Sequence, residues 1–112
     1  MEFQRPTEQE DLLRQLGPGV HAQVVQGGVR ILNATATEIR LVVVNPHWLG
    51  LLGPCNSAGS TCTLLRPGAE QVEPNARIYG LEDDPSVLVV RYWRPGEDNA
   101  VEVSVSRPAS TF

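Results

Sequence analysis

Residues 39–46 read Ile-Arg-Leu-Val-Val-Val-Asn-Pro, and the fold turns on how this stretch is taken. It is short for a helix, dense in β-branched side chains and stopped by Pro46, so it reads as a strand over Ile39–Val44. Its unbroken Leu41-Val42-Val43-Val44 run leaves no polar position to face water. That predicts burial on both faces, or one face in a core and the other in an oligomer contact. A second run of the same kind, Val87–Trp93 (VLVVRYW), is its expected antiparallel neighbour.

Shorter strands fall on either side of this pair. Upstream, Val20, Ala22 and Val24 alternate with His21 and Gln23, Gly27-Gly28 is a hairpin signal, and residues 29–32 resume extended character before a turn at 33–37. Downstream, residues 61–65 lead into Arg66-Pro67-Gly68, whose Pro and Gly suit a type II turn. Residues 69–72 and 77–81 read as two further strands parted by Pro74-Asn75, and 82–85 as an acidic turn. After a turn at 94–99, Val101, Val103 and Val105 alternate with Glu102, Ser104 and Ser106, one face dry and one wet.

About eight short strands with Gly/Pro turns and no long helix between them exclude a parallel α/β sheet. The expected fold is all-β: an antiparallel β-sandwich, immunoglobulin-like or jelly-roll-like, with a short N-terminal helix. It forms a single domain over residues 1–112, with an N-terminal arm at 1–19 and a loose tail at 107–112. The turn spacing resembles that of immunoglobulin-like sandwiches in general, but their Cys…Trp…Cys order is absent, because Trp48 precedes both cysteines. The helix signal is the capping box Thr7-Glu8-Gln9-Glu10, followed by the apolar stripe Leu12, Leu13 and Leu16 and ended by Gly17-Pro18. So short a helix is marginal alone, and its leucines need either an end of the sandwich or a neighbouring subunit.

The 112 residues suit one core, and 41% hydrophobic with 20% charged residues is a globular balance. A net charge of −4 opposes binding to nucleic acid or anionic membranes. It outweighs the local basic-aromatic look of Arg91-Tyr92-Trp93-Arg94. All nine basic residues are Arg, a bias that GC-rich coding explains, and the surface thereby lacks the Lys that commonly blunts strand edges. No apolar run approaches a membrane helix, and the acidic N-terminus has no signal-peptide h-region. The expected location is the cytoplasm, or a particle assembled from it. There, Cys55 and Cys62, close enough in sequence to bridge if oxidised, are expected as free thiols.

No motif carries catalysis. Cys55, Cys62, His21 and His47 exhaust the soft metal ligands and lack paired spacing, and no GxSxG occurs. The expectation is therefore a non-enzyme without cofactor. Glu97, Asp98 and Asn99 form the better single-turn candidate for calcium, though a solvated turn explains them as well. Asn33-Ala34-Thr35 matches a glycosylation sequon and reads as coincidence without a signal sequence.

The one long irregular stretch, 47–60, carries Trp48, Leu49, Leu51 and Leu52. If the two central strands are antiparallel neighbours, this loop and the acidic turn at 82–85 share one end of the sandwich. Those four residues with Leu12 and Leu16 are the candidate partner-binding surface, because apolar patches are rarely left wet. The expected function is a non-catalytic assembly or structural subunit that self-associates or docks on a protein, such as a virion or shell component. The alternative is a carbohydrate-binding sandwich, calcium-assisted or not, with His47, Tyr92 and Trp93 at the ligand and Trp48 or Tyr79 as further stacking rings.

Overall fold

The structure, a computed structural model, describes residues 15–51, 55 and 62–108. Its strands are β1 (Gly19–Val25), β2 (Gly28–Ala34), β3 (Ile39–Val44), β4 (Thr63–Leu65), β5 (Glu70–Pro74), β6 (Val87–Trp93) and β7 (Val101–Ser106). They form a three-stranded sheet in the order β1-β2-β5 and a four-stranded sheet in the order β4-β3-β6-β7. Every pairing between these strands is antiparallel. The fold is the expected all-β sandwich, and β3 and β6 are its central neighbours, with Val43 opposite Val90.

Alternation along each strand sends one set of side chains into the space between the sheets. Val20, Val29 and Ile31 enter from the smaller sheet; Ile39, Leu41, Val43, Leu88, Val90, Tyr92 and Val105 enter from the larger. Each fully buried aliphatic side chain here contributes about 1.5–3 kcal/mol. The outward set of the larger sheet is also dry: Val42, Val44, Val89 and Trp93 are all buried. Cys55 packs on Val42 and Trp93 there, so β3 is covered on both faces, as its composition required.

The sandwich has two unlike sides. On one, β1 packs against β7. On the other, the edge strands β4 and β5 meet through polar groups. The Thr63 hydroxyl lies 2.9 and 3.1 Å from the two carboxylate oxygens of Glu73, and Arg77 Nε lies 3.4 Å from Glu73 Oε2. Glu73 stands opposite Val29 in register and is buried. An inward-facing charge followed by Pro74 is one way to blunt an edge strand without Lys.

Several expectations are corrected. The eighth strand, at 77–81, is reduced to a single parallel bridge between Tyr79 and Val44. It is flanked by 3-10 turns at Asn75–Arg77 and Leu81–Asp83, and Gly80 at φ 78° breaks its extension. Cys55 and Cys62 are not thiols but a disulfide, with their Cα atoms 5.7 Å apart. Residue 107 does not begin a loose tail: the Arg107 amide donates to Ser86 O, and its guanidinium to Asp84 Oδ1 and Pro85 O. The N-terminal helix expected from Thr7 and residues 109–112 lie outside the described residues.

Candidate functional site

Asn45 organises the end of the sandwich where the long loop begins. It follows the last residue of β3 and is 2% exposed. Its amide donates to Tyr79 O at 2.8 Å and its side-chain Nδ2 to Gly80 O at 3.1 Å, while Oδ1 accepts from the His47 amide at 3.0 Å. One side chain thus fixes both the departing loop and the segment bridged to β3. The Asx-type bond to His47 starts a 3-10 turn, Pro46–Leu51, as Asn commonly does two residues ahead of a turn amide.

That turn places Trp48 over Gly80. A Cβ built on Gly80 would lie 2.6 Å from Asn45 Cβ and 2.9 Å from Trp48 Cδ1, so only glycine admits the indole. Trp48 Nε1 donates to Asp83 Oδ2 at 3.0 Å, which brings the loop and the acidic turn to one end. Arg91, on the outer face of β6, reaches Leu49 O at 3.4 Å and lies over the Trp93 ring at 5.2 Å. Its Nε is 3.7 Å from Glu102 Oε2 on β7.

The residues singled out from sequence therefore divide. Trp48 and Leu49 are half-buried against this end, His47 is exposed, and Leu16 is exposed on the other sheet's approach to β1. Leu12 and Leu52, and the side chain of Leu51, lie outside the described residues. Tyr92 and Trp93 do not offer a ligand a ring face: Tyr92 is in the core and Trp93 lies under Cys55, at 4% and 2% exposure. Glu97, Asp98 and Asn99 are an exposed turn in which Glu97 pairs with Arg94 at 3.7 Å. Among the described residues no group of three His, Cys, Asp or Glu side chains is placed to hold a metal.

Tyr79, a stacking candidate of the carbohydrate reading, is exposed, and two exposed side chains were not singled out: Leu64 and Val72. Leu64 and Tyr79 flank β3 along the same edge of the larger sheet, and Val72 is on β5, the edge strand beside it. Tyr79 with Ala76, Arg77 and Ile78 lines a shallow groove there. Leu64 is one of two adjacent leucines in a three-residue strand and Val72 is the one aliphatic side chain of β5, so nothing local marks either as outward. Their direction follows from register, which puts Leu64 beside Arg40 and Val72 beside Arg30.

Comparison with protein-family models, with curated proteins and with solved structures finds no match to this chain.

Proposed function

We propose that the chain is a non-catalytic β-sandwich subunit that self-associates or docks on a protein through its β4–β5 side, as a building unit of a shell or virion does. The observation that supports this reading is the position of Leu64, Val72 and Tyr79. They are 44%, 43% and 38% exposed; Leu64 and Tyr79 border that side along β3 of the larger sheet, and Val72 borders it on the outer face of the smaller. Arg77, 52% exposed beside Tyr79, completes the Tyr/Arg chemistry enriched at protein interfaces. The test is native mass by light scattering across a wide range of concentration. The reading expects species heavier than the monomer, dispersed by Leu64→Glu or Tyr79→Glu. A clean monomer at every concentration, with the same mass in both variants, counts against self-association, and an unaltered binding profile for Tyr79→Glu counts against docking.

The groove beside Tyr79 favours one second reading, a binder of a sugar or other small polar ligand at Tyr79 and Arg77. A glycan array, read with and without chelator, tests it; silence in both disposes of it.

A further inference from the structure

Leu64, the exposed leucine of the β4–β5 side, stands two residues after Cys62. Its strand is the shortest in the sandwich. β4 is three residues long and lies at the edge of its sheet, with β3 as its one lateral partner among the described residues. So short an edge strand depends on what fixes its two ends.

Those ends are fixed differently. At the far end Leu65 packs in the core, and its carbonyl oxygen accepts from Asn33 Nδ2 at 3.0 Å. At the near end the Thr63 hydroxyl meets Glu73, and Cys62 is bonded to Cys55, which packs on Val42 and Trp93. The far end is held by groups indifferent to redox state. The near end hangs on a bond that a reductant cleaves, and Cys62 is half-buried, which leaves an approach to it.

We propose that the Cys55–Cys62 disulfide is a redox switch of the docking side: oxidised, it holds Leu64 in place; reduced, it lets the first half of β4 go. The inference rests on the assembly reading and adds the regulation of that surface. A thiolate of a dithiol reductant attacks Cys62 Sγ, the S–S bond breaks, and Cys55 leaves as a thiolate. It takes up a proton beside Val42 and Trp93, where apolar surroundings favour the neutral thiol. The second thiol of the reductant then displaces Cys62. The protein gains two electrons and two protons, and the dithiol ends as a disulfide. Exchange with a small disulfide runs the same steps backward. With the bond open, Thr63 and Leu64 keep only the ladder to β3 and the Glu73 contact, which water contests, and they fray while Leu65 stays seated. Leu64 no longer projects from a fixed strand, and ordering it again weakens association.

The test takes the full chain oxidised, reduced by dithiothreitol and reoxidised by glutathione disulfide. On reduction, backbone order parameters at Thr63 and Leu64 are expected to fall from about 0.85 to below about 0.6 while those at Val43 and Val90 hold. No fall at Thr63 and Leu64 overturns the proposal. So does an equal fall at Val43 and Val90, because the bond then holds the whole sandwich rather than β4. Light scattering is expected to show heavier species that disperse on reduction and return on reoxidation. Heavier species that reduction leaves intact overturn the switch and leave the assembly reading standing. A monomeric oxidised chain overturns self-association, and the order parameters still decide whether the bond governs β4. A Cys55→Ala/Cys62→Ala variant is expected to match the reduced chain and ignore glutathione disulfide; one that associates like the oxidised chain overturns the switch.

Discussion

Asn33 commits its whole side chain to neighbouring backbone and hydroxyl groups. Nδ2 donates to Thr37 O at 2.9 Å and Leu65 O at 3.0 Å, and Oδ1 accepts from the Thr35 amide at 3.1 Å and hydroxyl at 2.6 Å. It ties the β2–β3 turn to the end of β4, one sheet to the other. The Asn-Ala-Thr triplet is thus a structural motif in the folded chain, with no amide hydrogen left for a glycan. Asn33→Asp replaces two donors with a carboxylate oxygen facing two carbonyls. It is expected to lower unfolding free energy by about 3 kcal/mol, since each buried group left unsatisfied costs ~1–3 kcal/mol. Urea unfolding checks this, with a lower midpoint at unchanged slope. At Gly80 the penalty is steric: Gly80→Ala combines a left-handed φ of 78° with contacts to Asn45 and Trp48 below 3.0 Å. It is expected to cost about 2–3 kcal/mol by strain and overpacking and to shift the Trp48 emission. An unmoved spectrum and midpoint would remove the stacking argument.

Among the elements, the disulfide joins Cys62, just ahead of β4, to Cys55 on the outer face of the larger sheet. Cys55 and Cys62 are separated by seven residues, with Cys55 on Val42 and Trp93. Closing so short a loop contributes about 2.5 kcal/mol in the chain-entropy account. Reduction by a dithiol, or a Cys55→Ala/Cys62→Ala variant, is expected to lower stability by roughly that amount and to raise quenching of Trp93 by acrylamide; urea midpoints and fluorescence check both. Elements were legible in the sequence where composition alone decides. β3 and β6 are continuous apolar runs that no other element fits, and β7 alternates cleanly. β5 was legible as a strand but not in its facing, because hydrophobicity alone turns Val72 inward. Register with β2 turns it out and takes Glu73 inside, where Thr63 and Arg77 supply partners from distant positions. The 77–81 segment misled for a related reason: its side chains suit a strand, but Gly80 and the Asn45 bonds hold it to one bridge.

At the scale of the molecule, the part of the candidate site that was legible is the meeting of the 47–60 loop with the acidic turn, which followed from pairing β3 with β6. The exposure of Leu64 and Val72 was not legible, because it depends on which edge each sheet leaves open. A Leu64→Glu/Val72→Glu variant places charge on that side without touching the core. It is expected to leave the urea midpoint nearly unchanged, within about 0.5 kcal/mol as for other surface changes. It should also abolish any concentration dependence of native mass; light scattering at matched concentrations decides it. If both wild type and variant scatter identically, the β4–β5 side is not the contact.

The Thr63–Glu73–Arg77 bridge gives the domain the mechanics of a hinged book. The spine is the apolar seam of β1 and β7, and the fore-edge is closed by a clasp of three side chains rather than by oil. Heat or tension should part the leaves from the clasped side first, so the amides of β4 and β5 should trade hydrogen for deuterium ahead of those in the spine.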